Sequence, residues 1–313
     1  MDDRTVIVTG GNAGLGYETA KNIARSGSQY HVVLACRNRV RGDRAAASLR
    51  SETGNPHVQA MHVDLASLTS VRAFARSYTE TGLPPLHGIV CNAGISAAGV
   101  AGASRTEDGF EMIFGVNHLA HFLLVNLLLP VMDDSGRILF VTSDLHNPPA
   151  FFPVKVRYAS GEAIARSTAG MAQYCVSKLC NIYCTYEMAY LIREHTQKQI
   201  TVNAFNPGAM PDTNFGSPTG SALARLAVRV IGAIMGALIG KRSTASESGK
   251  ILASLVTSST FADVNGAYID RGTLAESSRL SHDRANAQEL WQASITMTGL
   301  RSEETIFRPG SVR

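Results

Sequence analysis

Two side chains near the middle of the chain are spaced for proton transfer. Tyr174 and Lys178 are four residues apart in a helical pattern, so both project from one face of the helix. A free tyrosine has a pKa of about 10 and exchanges protons poorly near neutral pH, but a nearby positive charge favours its phenolate. The pair therefore predicts a tyrosine that acts as general acid and base beside an activating ammonium group.

Two further polar residues precede this pair in the chain. Ser143 follows the predicted strand 136–142, where its hydroxyl could hydrogen-bond a reacting oxygen and hold a carbonyl group in place. Asn117 lies in the predicted helix before that strand, and we expect it to orient Lys178 through a water molecule. Each residue taken alone also has an ordinary explanation in packing, in a turn or in a solvated charge.

A glycine cluster near the start of the chain has the character of a phosphate-binding turn. Gly10, Gly14 and Gly16 follow the apolar run 4–9 and lead directly into a helical pattern. Glycine permits the tight turn and lets backbone N–H groups approach a pyrophosphate, while the helix start adds partial positive charge. We therefore expect a dinucleotide on this turn, which also contains Asn12 and Leu15.

The end of the second predicted strand, 31–36, indicates which dinucleotide. A chain that binds NAD(H) normally places a carboxylate here, whereas this chain has Cys36-Arg37-Asn38-Arg39. Because a guanidinium group matches phosphate oxygens in a bidentate way, Arg37, assisted by Arg39, is predicted to bind a 2′-phosphate. The sequence thus favours NADP(H), and the alternative is that both arginines are solvated surface charges.

Residues at two further strand ends fit the same ligand. Asp64-Leu65 and Asn92-Ala93-Gly94 follow the third and fourth predicted strands, at carboxyl ends where a doubly wound sheet binds ligands. Asp64 is expected to accept a hydrogen bond from the adenine amino group. Since Asp, Asn and Gly also favour turns, the functional interpretation depends on agreement with the glycine turn.

The elements that must position these residues alternate along the chain. Short β-branched runs alternate with longer helical patterns, which is typical of a parallel sheet covered by helices on both faces. The sequence predicts one α/β domain over 1–313, with a Rossmann-type, doubly wound, seven-stranded parallel sheet flanked by helices. The predicted strands are 4–9, 31–36, 57–63, 87–91, 136–142, 199–205 and 266–270, and the predicted helices are 14–27, 40–52, 67–81, 106–131, 171–197, 244–258 and 284–299.

Composition argues against several other classes of protein. With 45% hydrophobic and 17% charged residues, the chain has enough apolar surface for a globular core. Lys and Arg (29) exceed Asp and Glu (25) by four without a basic run, so nucleic-acid binding is not indicated. The five cysteines form no pair of CxxC motifs and are expected to be reduced thiols. Without a signal-like N-terminus or an apolar run of about 20 residues, we expect a cytoplasmic protein with no transmembrane segment.

Two long connections, 144–170 and 206–243, interrupt the alternation. Long excursions in a compact domain are usually functional or mobile. The segment 209–243 contains an apolar stretch and is interpreted as a lid over an apolar substrate, with an oligomer-interface helix as an equal alternative. Peripheral contact with a membrane and assembly into a homo-oligomer stay open.

The chain resembles the short-chain dehydrogenase/reductase family from about residue 4 to about residue 300. The resemblance implies Tyr174 as the proton donor, Lys178 as the group that lowers its pKa and binds the nicotinamide ribose, Ser143 as the group that polarises the carbonyl, and Asn117 as the fourth member of the set. It rests on the order of the motifs, which is the glycine turn, Asn92-Ala93-Gly94, Asn117, Ser143 and Tyr174-x-x-x-Lys178. It also implies cofactor contacts, which are Pro207, Gly208 and Thr213.

Several stretches resemble the branch that contains retinol dehydrogenases and protochlorophyllide reductases. They are Leu34-Ala35-Cys36-Arg37, Asp64-Leu65-Ala66-Ser67-Leu68, Gly115-Val116-Asn117-His118-Leu119 and Ser177-Lys178-Leu179-Cys180-Asn181. The branch implies NADPH and an apolar, often polycyclic or isoprenoid, small-molecule substrate. We expect aromatic and apolar side chains to wall the substrate, namely Phe151, Phe152, Met210 and Phe215. Reduction of a carbon–carbon double bond and a non-catalytic NADPH-binding sensor or scaffold are the alternative functions.

Four residues that could suggest other chemistry are given structural interpretations. His118 and His121 are three residues apart in a helical pattern, but a metal site would need further ligands at fitting spacing, and none is obvious. They are interpreted as core or helix-surface histidines, and no metal site is predicted. Asp144 and His146 follow Ser143 closely and are interpreted as turn or cap residues.

Overall fold

The apolar runs of the sequence form the strands of one sheet. The computed structural model describes residues 3–97, 100, 104–168, 170–210 and 243–307. Strands β4 and β6 are buried along their whole length, as expected for strands covered on both faces. The strands are β1 Arg4–Thr9, β2 Tyr30–Cys36, β3 Val58–His62, β4 Leu86–Cys91, β5 Met132–Val141, β6 Thr201–Asn206, β7 Tyr268–Asp270 and β8 Thr273–Ala275.

The strand order is β3-β2-β1-β4-β5-β6-β7-β8. The first seven strands are parallel, which confirms the predicted doubly wound sheet. The predicted count of seven was one short, because β8 pairs antiparallel with β7 at the edge. Its three residues are all exposed, so the strand has no apolar run that a sequence pattern could reveal. The chain order reverses between β1 and β4, which is where such sheets bind ligands.

Helices cover both faces of the sheet. One core cluster joins α3, α4 and α6 to one face, and a second joins α1, α2 and α7 to the other. Helix α8 packs against α6. The helices are α1 Gly14–Arg25, α2 Arg39–Thr53, α3 Leu68–Thr79, α4 Met112–Val131, α5 Gly161–Arg166, α6 Gly170–His195, α7 Ala245–Thr257 and α8 Arg284–Thr298.

Helix α4 differs from its prediction at its start and in its interior. It begins six residues later than the predicted position 106, because a bridge between Arg105 and Glu111 closes a turn just before it. Residues Gly115–Leu119 form a π-helical turn, in which Ala120 N–H donates to the Gly115 carbonyl. Such turns widen a helix locally and occur frequently at functional sites.

Helix α4 also has the length and composition of a membrane span. It is 20 residues long with a mean hydropathy of 1.7, but 89% of its apolar window is buried inside the protein. Most of its apolar residues belong to the core cluster on one face of the sheet. Length and hydropathy are therefore explained by its place in the core.

The two long connections are anchored at defined points. In the first, the Tyr158 hydroxyl and the Gly161 N–H both donate to the Glu289 carboxylate on α8. In the second, Ser243 N–H donates to the Ala209 carbonyl at 3.0 Å. Residues 211–242 lie outside the described residues, so the predicted lid, together with Thr213 and Phe215, is not covered by the structure.

Candidate active site

The glycine turn joins β1 to α1 and leaves the start of α1 open. Gly10 and Gly14 have φ angles of +66° and +52°, a region that favours glycine. The N-cap of α1 is Ala13, which makes no side-chain cap hydrogen bond. By contrast, α2, α3, α7 and α8 are capped by Asn38, Ser67, Thr244 and Asp283. The first N–H groups of α1 are therefore available to an anionic ligand.

Gly16 explains why this turn tolerates no side chain. A Cβ at this position would lie 2.5 Å from both the Gly10 carbonyl oxygen and Asn92 Nδ2. Since a backbone atom is one of these neighbours, the turn could not give way cheaply. Together with the uncapped start of α1, this geometry fits the pyrophosphate of a dinucleotide.

Thr9 and Asn92 hold the glycine turn onto β4. Asn92 Nδ2 donates to the Thr9 carbonyl at 2.8 Å. The Thr9 hydroxyl oxygen accepts from the N–H groups of Asn92 and Ala93, both at 2.9 Å. The Asn92 side-chain amide is thus bonded to β1. The cofactor contacts predicted for Asn92-Ala93-Gly94 would therefore be made by the backbone of this segment and by Gly94.

The two arginines after β2 differ in their contacts. Arg39 Nε donates to both carboxylate oxygens of Asp43, at 3.0 and 3.1 Å. Arg37 is exposed and has no side-chain partner among the described residues. The structure therefore separates the pair, and Arg37 is the arginine that is free to meet a 2′-phosphate.

The residues after β3 have structural contacts of their own. Asp64 Oδ1 accepts from Ala66 N–H at 2.9 Å, so the carboxylate closes an Asx turn. Leu65 is 8% exposed and belongs to the core. The adenine contact of Asp64 stays a prediction that would use its other oxygen.

Tyr174 and Lys178 lie side by side at the carboxyl end of β5. Tyr174 is 7% exposed and Lys178 is 3% exposed. Lys178 Nζ donates to the Val141 carbonyl at 3.0 Å and lies 5.6 Å from the centroid of the Tyr174 ring. The Tyr174 side chain is hydrogen-bonded to the Ser143 side chain. The structure thus brings three of the four predicted catalytic residues into one cluster.

Burial sets the protonation of both groups. Burial raises the pKa of Tyr174 above its usual value, while the hydrogen bond with Ser143 lowers it. The lowering by Lys178 that the resemblance implies stays a prediction. Burial also lowers the pKa of Lys178 to about 8. At neutral pH the site therefore holds a neutral phenol, the form that can donate a proton, beside an ammonium group.

The fourth residue, Asn117, lies in the π-helical turn of α4. Its Nδ2 donates to the Ile95 carbonyl and to Ser177 Oγ, both at 3.0 Å, and its Oδ1 accepts from Ile95 N–H at 2.8 Å. A Cβ on Gly94 would lie 3.2 Å from Asn117 Oδ1 and 3.5 Å from Lys178 Nζ. Asn117 is therefore next to Lys178, but its amide holds the segment after β4.

Lys178 also supports a nicotinamide site. Among the described residues, the Val141 carbonyl is the single hydrogen-bond acceptor of its ammonium group. An ammonium group has three hydrogens to donate, and a charged group this deeply buried is costly unless it is paired. The two remaining hydrogens fit the hydroxyl groups of a nicotinamide ribose.

The predicted substrate residues are spread over two segments. Phe151 is 64% exposed, and Met210 is half-buried against the core cluster under α7.

The predicted cofactor residues after β6 are held in place by hydrogen bonds. Gly208 has a φ of +77°, and its N–H donates to Asn206 Oδ1 at 3.1 Å. Pro207 is buried, and its carbonyl accepts from Ser248 Oγ at 2.8 Å. These contacts fix the backbone after β6 at the carboxyl edge of the sheet.

The sequence analysis missed the hydrogen bonds that hold Ser143 in place. His146 Nδ1 donates to the Ser143 carbonyl at 2.7 Å, while its Nε2 accepts from Ser278 N–H at 3.1 Å. Ser143 itself is the N-cap of the turn Asp144–His146. The turn interpretation of His146 agrees with this geometry, but nothing in the sequence indicated that the turn reaches Ser278, which is 132 residues away.

A Rossmann-type sheet with a glycine turn and a Ser–Tyr–Lys cluster at its carboxyl edge is typical of a dehydrogenase that binds a nicotinamide cofactor. Residues 4–161 match the family model for short chain dehydrogenase. The chain is 35% identical to retinol dehydrogenase 13 of Homo sapiens, over 98% of this chain and 88% of the relative. It is 33% identical to polyprenol dehydrogenase of Danio rerio, over 96% of this chain and 88% of the relative. The chain therefore belongs to the short-chain dehydrogenase family, in the retinol dehydrogenase branch.

Solved structures share the fold. A protein from Mycobacterium paratuberculosis superposes with a TM-score of 0.67 and 27% identity, over 96% of this chain and 95% of that one. A blue fluorescent protein from a metagenomic library, in complex with NADPH, superposes with a TM-score of 0.63 and 23% identity, over 88% of this chain and 99% of that one. These likenesses support the Rossmann-type fold.

Proposed function

We propose that the chain is an NADP(H)-dependent oxidoreductase that interconverts a carbonyl group and an alcohol on an apolar small molecule. The observation that carries this proposal is the buried Tyr174 phenol, bonded to Ser143 and next to the Lys178 ammonium group. A bound nicotinamide supplies or accepts the hydride. The chain's own residues bind the substrate oxygen, exclude water and move the proton.

Each residue of the cluster has one task in this proposal. The Ser143 hydroxyl donates to the carbonyl oxygen and holds it beside the Tyr174 hydroxyl. The Tyr174 phenol gives its proton to that oxygen as the negative charge develops there. The Lys178 ammonium group opposes the build-up of charge on the phenolate that remains. Burial of Tyr174 and Lys178 strengthens these interactions, because charges are screened less inside a protein than in bulk water.

The preference for NADP(H) rests on Arg37. Its guanidinium group is exposed at the end of β2 with no partner among the described residues, and the residues directly after that strand, Arg37-Asn38-Arg39, include no carboxylate. A bidentate guanidinium–phosphate contact would therefore replace the usual carboxylate–ribose contact. The metagenomic relative of this fold was solved with NADPH, which agrees with this preference.

The substrate class rests on the relatives and on the residues near the site. Two relatives are named as dehydrogenases of retinol and of polyprenol, which are apolar alcohols. Phe151 presents an exposed ring on the connection that begins at Ser143. Together with Met210 and with Phe215, which lies outside the described residues, it would form an apolar wall over the nicotinamide.

The test compares NADPH oxidation by the wild type and by Tyr174→Phe over a panel of apolar ketones and aldehydes. We expect kcat/KM to fall by about 10²–10⁴-fold, which is the usual contribution of a positioned acid or base. Tyr183→Phe is the matched control, because Tyr183 is a buried tyrosine on the same helix whose hydroxyl donates to the Leu280 carbonyl at 2.8 Å. It should leave turnover nearly unchanged.

The outcomes separate the competing functions. Equal rates for the wild type and Tyr174→Phe would remove Tyr174 from the chemistry. A saturated ketone instead of an alcohol, identified by mass and NMR, would indicate reduction of a carbon–carbon double bond. Tight NADPH binding without turnover on the whole panel would favour a sensor or scaffold.

A further inference from the structure

His121 on α4 is a buried ring that connects the cofactor turn to the catalytic cluster. Its side chain is completely buried. On one side, its Nε2 lies 2.9 Å from the Thr9 hydroxyl oxygen, at the end of β1. On the other side, its Nδ1 lies 3.1 Å from the Asn117 carbonyl oxygen, in the π-helical turn.

The Thr9 end fixes one ring nitrogen as an acceptor. The Thr9 hydroxyl oxygen already accepts two hydrogen bonds, from the N–H groups of Asn92 and Ala93. A hydroxyl has two lone pairs and one hydrogen, so Thr9 can only donate to a third partner. His121 Nε2 at 2.9 Å is closer to that hydroxyl than the Val90 carbonyl at 3.3 Å. The geometry therefore requires an unprotonated Nε2.

The Asn117 end gives the same tautomer independently. A carbonyl oxygen can only accept, so Nδ1 must carry the hydrogen. A doubly protonated ring would point a second N–H at the filled oxygen of Thr9, which opposes protonation. In agreement, burial and the nearby Lys178 ammonium group lower the pKa of His121 to about 4, although the bond to Asn117 opposes this shift.

The bond to Asn117 matters because of where that residue lies. In an α-helix each carbonyl accepts from the N–H four residues on, but the π-helical turn shifts this pattern to five residues at Gly115. The His121 side chain supplies a donor to the Asn117 carbonyl within this widened turn. The Asn117 amide in turn holds Ile95, which follows Gly94 after the end of β4, and Ser177, the neighbour of Lys178.

We infer that His121 is a positioning residue, which as a neutral Nδ1–H imidazole fixes the π-helical turn that carries Asn117 relative to the β1 end that carries the glycine turn. This inference rests on the proposed function and adds a residue that touches neither cofactor nor substrate. A shift of about 1 Å between the hydride donor and the acid can cost about 10²-fold in rate. The ring links the two parts of the site whose relative placement sets that distance.

The kinetic test uses three variants. His121→Leu removes both hydrogen bonds and keeps an apolar core side chain, whereas His121→Gln keeps one donor and one acceptor. Asn126→Leu is the matched control, because Asn126 is also completely buried on α4 and its Nδ2 donates to the carbonyl four residues back, Phe122 O, at 2.9 Å. It lies outside the cluster around Tyr174.

We expect His121→Leu to lower kcat for an apolar ketone by about 10–100-fold while KM for that ketone changes little. His121→Gln should recover most of kcat. Asn126→Leu should lose thermal stability, as His121→Leu does, and keep kcat. Equal kcat values for His121→Leu and Asn126→Leu, or a His121→Gln variant no better than His121→Leu, would overturn the positioning role.

A second measurement does not depend on turnover. The ¹⁵N shifts of histidine-labelled protein, assigned by comparison with His121→Gln, report the tautomer of this ring. We expect a protonated Nδ1 and a bare Nε2 at about pH 7, unchanged at about pH 5.5. An Nε2–H tautomer or a ring protonated at the lower pH would contradict the bonding scheme. A wild type with no turnover would instead overturn the proposed function, and the positioning role with it.

Discussion

The glycine turn and the start of the catalytic helix lie at the same edge of the sheet but use their polar groups in opposite ways. Under the turn, the Thr9 hydroxyl is surrounded by two N–H donors and an imidazole, and the Asn92 amide is bonded to β1. On α6, the Lys178 ammonium group is equally buried but has one acceptor among the described residues.

This contrast separates groups that hold the site from groups that bind the ligand. A saturated buried network rigidifies the backbone, because each lost bond leaves a costly unpaired group. A buried cation with unused hydrogens lowers the stability of the free protein but interacts strongly with a ligand that completes its bonds. The arginines after β2 repeat the contrast at the surface, since Arg39 is paired with Asp43 and Arg37 is not.

Replacing Lys178 should produce the largest effect. Lys178→Met removes the ammonium group from the acid–base cluster, so we expect kcat/KM to fall by about 10²–10⁴-fold. The same change removes a buried charge with one acceptor, so the free energy of unfolding without cofactor should rise by about 1 kcal/mol or more. Kinetics and urea denaturation of one variant measure both effects. A loss of stability would contradict the comparison between the two regions, because Lys178 would then be one of the groups that hold the site together.

The arginines provide the next test. Arg37→Ser should weaken NADPH binding by about 10–100-fold with little effect on NADH, because a charged hydrogen bond to phosphate is lost. Arg39→Ser is the matched control and should change the ratio of the two dissociation constants very little. Titration of both variants with both cofactors measures this. A larger effect at Arg39 would mean that its pairing with Asp43 does not hold it away from the ligand.

Two buried threonines test whether the hydrogen bonds under the glycine turn stabilise the protein. Thr9→Val leaves two backbone N–H groups and the His121 ring without their partner, so we expect a loss of about 2 kcal/mol in the free energy of unfolding. Thr185→Val is the control, since Thr185 Oγ1 makes one bond, to the Asn181 carbonyl at 2.8 Å. It should cost about 1 kcal/mol or less. Similar losses of unfolding free energy for the two variants, measured by urea denaturation, would show that the Thr9 hydroxyl stabilises the protein no more than an ordinary buried threonine does.

The smallest expected effect is on the stability of the protein in acid. It concerns His87, a buried histidine far from the candidate active site, and so provides a reference for the buried groups within the site. Burial lowers the pKa of His87 to about 4. A histidine with a folded pKa below its usual 6.5 binds protons more readily when unfolded, so its contribution is complete above about pH 6.5 and is lost as pH falls towards 4. His87→Gln should therefore flatten the dependence of unfolding free energy on pH in this window. An unchanged slope would show that His87 does not titrate there.

The sequence predicted those elements whose residues have strong local patterns. The strands β1, β2 and β5 are apolar runs that can only be buried on both sides, and their predicted positions agree with the structure to within a few residues. Strand β8 has no such run, since Leu274 lies in it with 60% of its side chain exposed. It exists because it pairs with β7, and pairing is not visible in three residues.

The site shows the same division. The spacing of Tyr174 and Lys178 is a local property of one helix, so a sequence pattern could place them on one face. The role of His121 is not local, because its partner Thr9 is 112 residues away and the π-helical turn that contains Asn117 has no signature in the sequence. The sequence therefore indicated the groups that react, and only the packing of distant elements revealed the groups that hold them.

A crystal structure of the chain with NADP⁺ would test the central claim most directly. The account predicts the pyrophosphate on the glycine turn, Lys178 Nζ bonded to the nicotinamide ribose, and the Tyr174 hydroxyl within about 3 Å of the place where a reacting oxygen meets the nicotinamide ring. A dinucleotide bound with its nicotinamide ring far from the Tyr174 hydroxyl, or Lys178 Nζ without a contact to the ribose, would contradict it.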